Sequence, residues 1–427
     1  MVLGLGFLLL LVLLLAGVPI VVSIGLSALF LLLTGPVPVT NWTMVFGQVT
    51  VSGVDSFVLI SAPFFLLAGE LMNTGGMTKR IFRLAEAMVG WWAGSLGQVC
   101  IVASMIFAGM TGSAVSEAGG LGLIEIKAML DRGYKKSFAA AITSAAAIIG
   151  PIIPPSIPMV IYASLVNESV KDLFLAGVVP GLLMGLALMI AVFFYAKTGA
   201  CPAPIPFSLK ELLSAMKQGV LPMMTPVIII LGIYTGIFSP TEASLVAVLY
   251  ALIIGFVYKE LTTKNIVAAL KKTADFTGSL FLIVAVTSLF GWTIARHGYL
   301  DELNSWILSM SPTPLGFVFV MVGIFLFVGC FMEPIGALIL ITPLILPTLK
   351  ALNIDLVYFG LVMVFTLMIG LLTPPVGLVL FVVSKIADIG LAELVKAIVP
   401  YLIALLLVLL AVMLFPDLVL FIPRALR

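Results

Sequence analysis

The stretches GMTGSAVSEAGG, residues 109–120, and GPIIPPSIP, residues 150–158, decide the reading of this chain. Each interrupts a long apolar run, 97–131 for the first and 137–168 for the second. One continuous helix over 97–131 would bury Thr111, Gly112, Ser113, Ser116 and Glu117 mid-span, among weak helix formers. Two half-helices meeting at Thr111–Ser113 fit better. Such a re-entrant hairpin is tolerated in a membrane only where its tip is buried in protein or lines a polar cavity. In the second stretch, Pro154 and Pro155 remove two backbone donors and clash with the preceding turn, so the helix over 137–168 breaks there.

Both features recur. GCFMEPIGA, residues 329–337, sits in the apolar run 315–350, and GLLTPPVG, residues 370–377, sits in 357–384. At a constant offset of 220, Phe107 and Gly109 meet Phe327 and Gly329, and Gly150 meets Gly370. Pro154-Pro155 meet Pro374-Pro375, Ser164 meets Ser384, and Val179-Pro180 meet Val399-Pro400. Helix-breaking residues that coincide in register define an internal repeat.

The surrounding composition names the solvent. Of 427 residues, 62% are hydrophobic and 9% charged, with mean hydropathy +1.30. An ordinary soluble domain is about 45–50% apolar and roughly 25% charged. The chain lacks a charged shell, which excludes a soluble enzyme, a nucleic-acid binder and a disordered scaffold. His297 is the only histidine, which argues against histidine metal clusters and Ser–His or Cys–His triads. Cys100, Cys201 and Cys330 lie far apart, and no GxxxxGK[ST] occurs. The apolar start at Met1 has no basic n-region and reads as a span rather than a cleaved signal.

A span needs about 20 mostly apolar residues. The remaining apolar runs are 2–34, 56–76 and 173–197, then 222–258, 277–299 and 395–422. Splitting 2–34 near Pro19 and 222–258 near Pro240 gives five crossings plus one hairpin in each half. The expected architecture is an all-α polytopic membrane protein of two inverted repeats, 1–197 and 221–427, with hairpins 97–131 and 315–350. Lys127, Arg132, Lys135 and Lys136 crowd one loop of the first half, whereas its counterpart offers only Lys350. Lys79, Arg80 and Arg83 correspond to the acidic region around Asp301 and Glu302, and Lys259, Lys264, Lys271 and Lys272 to residues 39–52, which contain no basic residue. Basic loops collect in the cytoplasm, so opposite charge in equivalent loops means opposite orientation. An odd number of crossings then makes 198–220 a cytoplasmic linker and puts the N-terminus in the periplasm.

Two hairpin tips facing two broken helices create chemistry. Freed carbonyls at the end of a half-helix carry partial negative charge and suit a cation such as Na⁺, and opposing N-termini offer N–H groups to an anion. The candidate cation residues are Gly112, Ser113, Gly150 and Pro154 in the first half. In the second they are Gly329, Glu333, Gly336, Gly370, Thr373 and Pro374. The competing readings are plain: small residues as helix contacts, prolines as kinks, and Glu117 or Glu333 as snorkelling side chains. A carboxylate at the bilayer centre costs about 2.5–3.5 kcal/mol on insertion scales, which favours function for both. Glu70, Glu242 and Asp275 read as structural residues near interfaces, and Trp91-Trp92 as anchors beside an amphipathic segment, 79–92.

PFFLLAGELMNTGGMTKRIF, GMTGSAVSEAGGLG, GPIIPPSIPMVIYAS and LFLAGVVPGLL, with GIFSPTEAS and GLLTPPVGLVLF, resemble the large membrane subunit of tripartite ATP-independent periplasmic (TRAP) transporters. The resemblance covers essentially the whole chain. It implies an elevator-type, Na⁺-coupled uptake system for organic acids such as sialic acid or C4-dicarboxylates in a bacterial inner membrane. A periplasmic binding protein would deliver the acid, a small membrane subunit would brace the scaffold, and two or more Na⁺ would be the coupling ions, with no other cofactor. By the same resemblance, Thr111, Ser113, Glu117 and Ser156 face substrate or ion, as do Glu333, Gly336 and Thr373. Alternatives are a stand-alone Na⁺/dicarboxylate symporter, a channel, and an intramembrane hydrolase using Ser113 or Glu333.

Overall fold

The computed structural model describes residues 2–34, 42–296 and 313–426, and among them every regular element is a helix. His297, Asp301 and Glu302, and residues 39–41, lie outside the described residues. Helix α1 (Val2–Leu15) and α2 (Ile20–Leu33) are separate because Gly17 takes a left-handed φ of 79° and Pro19 caps α2. No right-handed helix continues through such a residue. The chain then forms α3 (Trp42–Val54), α4 (Ser61–Thr74) and α5 (Met77–Val89). The first hairpin is α6 (Leu96–Thr111) and α7 (Ala114–Asp131), and the first broken helix is α8 (Lys136–Ala147) and α9 (Ile157–Val166). Helix α10 (Val170–Tyr195) closes the first half.

The second half begins with α11 (Leu209–Tyr234), α12 (Pro240–Val257) and α13 (Thr263–Arg296). Its hairpin is α14 (Pro314–Gly329) and α15 (Pro334–Ala351), and its broken helix is α16 (Leu356–Gly370) and α17 (Leu378–Ala387). Helices α18 (Leu391–Leu414) and α19 (Asp417–Ala425) finish the chain. Helices α7 and α15 start 220 residues apart, at Ala114 and Pro334, and so do α8 and α16, at Lys136 and Leu356. Helix α2 starts at Ile20 and α12 at Pro240, the same distance. Among the described residues the halves also differ. Helices α3 and α4 are parted by a turn at Asp55–Ile60, whereas α13 runs through the equivalent residues as one helix.

The run 222–258 is two helices, as the proline at 240 suggests, but the dividing linker is shorter than 198–220. Ser208 caps α11, its hydroxyl accepting from the Glu211 N–H at 3.3 Å, and the helix then passes through Pro222 and Pro226. Lys210 and Lys217, which the sequence reading placed in the linker, lie within α11. Arg83 of α5 fastens the start of that helix, donating to Glu211 at 2.7 Å and Gln218 at 2.8 Å. The Ser239–Glu242 capping box, with Pro240 in the first turn, explains the start of α12.

Six of the described helices are long and apolar enough to cross a bilayer: Val170–Ala200, Leu209–Tyr234, Pro240–Val257, Thr263–Arg296, Pro334–Ala351 and Leu391–Leu414. The innermost helices are shorter. Every residue of α16 from Val357 to Gly370 is buried, and so is α8 from Phe138 to Ala147. A helix apolar on all sides belongs at a core. The two broken helices are tied there by Tyr162 of α9, whose ring lies against Gly360 and whose hydroxyl donates to the Leu356 carbonyl at 2.9 Å.

Glu70 is buried within the protein. It lies in α4 and is ion-paired with Lys272 of α13, whose own side chain is more than half exposed. Replacing Lys272 with methionine strands a buried carboxylate, at a cost of about 1–3 kcal/mol. The thermal midpoint of the K272M variant should fall, and the double variant with Glu70→Gln should recover most of the loss. An unchanged midpoint in K272M would show that the pair holds nothing.

Candidate substrate and cation site

The first hairpin turns at Gly112 and Ser113. Gly112 has φ 57°, and a Cβ there would stand 2.8 Å from the Pro155 carbonyl and 3.0 Å from the Ile157 nitrogen. Only glycine lets the tip close on the loop of the first broken helix. Ser113 caps α7, its hydroxyl accepting from the Ser116 N–H at 3.4 Å. Thr111 ends α6, and its side chain lies outside the described residues.

The second tip occupies the same register with different chemistry. Glu333 stands 220 residues beyond Ser113 and caps α15, with Oε2 accepting from the N–H groups of Ile335 at 2.9 Å and Gly336 at 3.3 Å. Pro334 follows at the first helical position, where its missing donor costs nothing. This tip also touches its broken helix, through the Gly377 N–H donating to the Cys330 carbonyl at 3.2 Å.

The four elements converge. One cleft is lined by Gly112, Ser113 and Val115 from the first tip, Pro151 and Ile157 from the first break, and Glu333 and Ile335 from the second tip. Met368 and Leu371 from the second break and Phe276 from α13 complete the wall. The N-terminal ends of α7, α9 and α15 therefore share one space with the C-terminal end of α16.

Several expected site residues lie elsewhere. Glu117 is buried one turn beyond Ser113 and turns from the cleft to α8, where its Oε2 lies against Gly150. Neither of its carboxylate oxygens has a hydrogen-bond partner. Gly150 provides the room, since any Cβ there would collide with that carboxylate. Ser156 is fully buried and closes its own loop, donating to the Pro151 carbonyl and accepting from the Met159 N–H. Pro154 is buried beside Lys171, Phe174 and Tyr234, apart from the cleft. Gly336 faces Ile20 of α2. Gly329 and Gly370 face each other, and a Cβ on Gly370 would stand 2.6 Å from the Gly329 Cα. Their first duty is close helix packing. Thr373 is half-buried and donates to the Ile369 carbonyl at 3.0 Å, while Pro374 is exposed.

Residues that the sequence reading passed over are Phe276 and Glu125. Phe276 reaches the cleft from the middle of a long apolar helix, and no motif marks it. Glu125 is buried two turns beyond Glu117 and accepts from the Cys100 thiol at 3.0 Å. Its spacing of eight from Glu117 places both on one face of α7, a signal that was present in the sequence.

An all-helical chain whose two hairpin tips and two broken helices meet in one cleft has the build of a secondary transporter. The chain belongs to the family described as tripartite ATP-independent periplasmic transporter, DctM component, whose model matches residues 7–418. It is 42% identical over 414 residues to the sialic acid TRAP transporter large permease protein of Vibrio cholerae, covering 96% of both chains. It is 37% identical over 404 residues to the C4-dicarboxylate TRAP transporter large permease protein of Pseudomonas aeruginosa, covering 94% of each. The crystal structure of the Alcanivorax borkumensis YdaH transporter has the same fold, with TM-score 0.64, 13% identity and coverage of 88% of either chain. The protein is thus a multi-pass transport permease of the bacterial inner membrane, and not an enzyme.

Proposed function

We propose that the chain takes up an organic acid, such as sialic acid or a C4-dicarboxylate, coupled to at least two Na⁺. A periplasmic binding protein delivers the acid, and a small membrane subunit braces the scaffold, as membership of a tripartite family implies. The observation that carries this reading is the single cleft between both tips and both breaks. Helix N-termini there meet the anion, and broken C-terminal ends meet cations.

The residues offer two cation positions. At the first, the carboxylate of Glu117, with the Ser104 side chain beside it, lies against Gly150 where α8 has just ended. A buried carboxylate without a partner is costly, and a dehydrated cation would offset that cost. At the second, the turn from Gly370 to Thr373 ends α16 beside the cleft. The halves are read as oppositely oriented, and the hairpins with the broken helices as a mobile domain that slides past the remaining helices. Each unit charge moving down 100 mV supplies about 2.3 kcal/mol, and two Na⁺ carried with a monoanion move one net positive charge inward.

Uptake into proteoliposomes holding the permease with its small subunit, fed by its binding protein, tests the coupling. Replacing Na⁺ by K⁺ outside should reduce uptake to the leak level. Undiminished uptake in K⁺ would refute Na⁺ coupling.

A further inference from the structure

The first hairpin buries two carboxyl groups, and a single cation neutralises only one of them. Glu117 and Glu125 are each 1% exposed. Eight residues apart, they share one face of α7 and stand about 12 Å from each other along its axis. Among the described residues, no lysine or arginine forms an ion pair with either. The proposed Na⁺ meets Glu117 at Gly150, which leaves Glu125 without a countercharge.

The groups packed around Glu125 are neutral. Cys100 of α6 donates its thiol to Oε2 at 3.0 Å, and Thr143 of α8 stands beside the carboxyl. Oε1 is buried and has no hydrogen-bond partner. Tyr401 of α18, whose buried hydroxyl also has no partner, lies within electrostatic reach of Cys100. The charged residues of the neighbouring helices are engaged elsewhere. Lys385 of α17 is exposed over the Phe381 ring, Lys136 of α8 pairs with Asp388, and Glu86 of α5 pairs with Arg132 at the base of the hairpin. Lys127, on α7 itself, is exposed. An isolated buried carboxylate is costly, and such a group takes up a proton instead.

We propose that Glu125 is a proton-binding site, so that the first hairpin holds one Na⁺ at Glu117 and one proton at Glu125. This rests on the reading of Glu117 as a cation ligand. Release of the Glu125 proton to water sets a second negative charge on the helix face that holds Na⁺. At about 12 Å and an effective dielectric constant of about 20, that charge tightens Na⁺ binding about tenfold. Buried carboxyls titrate as high as about pH 8–9, so the site makes Na⁺ release sensitive to alkaline pH.

The Na⁺-dependent rise in the thermal midpoint of the purified full-length permease, with choline replacing Na⁺, tests this. At neutral pH, wild type and Glu125→Gln should need the same Na⁺ for half-maximal stabilisation, because glutamine mimics the protonated carboxyl. Above about pH 9 the wild type should need about tenfold less than E125Q. Infrared spectra of the wild type in saturating Na⁺ should show the C=O stretch of a protonated carboxyl. That band should vanish at alkaline pH, be absent from E125Q and shift in Glu125→Asp. A gap in Na⁺ requirement already present at neutral pH, or none at either pH, would overturn the proton at Glu125, as would an infrared band unchanged in both variants. Glu117→Gln responding to Na⁺ as the wild type does would instead remove the cation from Glu117, and the infrared band would then decide for Glu125 alone.

Discussion

Gly370→Val should destroy the packing of the second hairpin and abolish uptake. Gly370 and Gly329 are in backbone contact, and a Cβ on Gly370 would come 2.6 Å from the Gly329 Cα and 2.7 Å from its carbonyl carbon. The obstacle is main chain, so no rotamer change relieves it. Forcing extra atoms into a packed interior costs about 1–3 kcal/mol, and valine at a backbone–backbone contact belongs at the upper end. Helices in lipid gain little from hydrophobic exclusion and depend on such close approach. Alanine should already lower the thermal midpoint, and valine should yield aggregated protein by size-exclusion chromatography. Gly323, on the exposed side of α14 with open space around it, is the control. Gly323→Val should remain monodisperse and transport. A well-behaved, active G370V variant would show that the hairpin does not dock on α16 at these glycines.

The second large effect is expected at Glu117. Its carboxylate is buried against Gly150, and neither oxygen has a hydrogen-bond partner, a costly arrangement unless a cation occupies the gap. Glu117→Gln keeps the shape and removes the charge. The Na⁺ concentration giving half-maximal uptake should rise by about tenfold or more, equivalent to 1.4 kcal/mol of lost cation binding. The steepness of the Na⁺ dependence should also fall, because one of the coupling ions no longer binds. Glu125 separates this from a general effect of burial. It is equally buried, yet it accepts from the Cys100 thiol. Glu125→Gln should lower stability and leave the Na⁺ dependence in place. Equal Na⁺ curves for E117Q and wild type would remove Glu117 from the ion site.

The breaks in the fold were legible from the sequence because each is local chemistry. Gly112-Ser113 parts α6 from α7, and each double proline lies in the stretch between the two halves of its broken helix. The division of the first 34 residues is of the same kind, with Gly17 and Pro19 acting within one turn. Three-dimensional neighbours were not legible. Glu117 and Glu333 read alike as tip carboxylates, yet Glu333 matches Ser113 in register and caps its helix, while Glu117 lies a turn deeper and faces α8. The rotation of 100° per residue around a helix decides that, and it depends on which side the partner helix occupies. The surroundings of Ser156 and Pro154 were not legible for a related reason. A residue beside a helix break is as often engaged in closing the loop as in facing a ligand, and Ser156 spends its hydroxyl on Pro151 and Met159. Polarity at 198–220 did not show where α11 begins, since a polar helix end is as polar as a loop.

The central claim is that acid and Na⁺ bind where the two tips and the two breaks meet. The most direct test is an electron cryo-microscopy map of the permease with its small subunit, prepared in Na⁺ with saturating acid. The expected map shows the acid in the cleft between Ser113 and Glu333, with cation density beside Glu117 and Gly150 and beside the Gly370–Thr373 turn. Acid density outside that cleft, or a filled cleft with both cation positions bare, would contradict it.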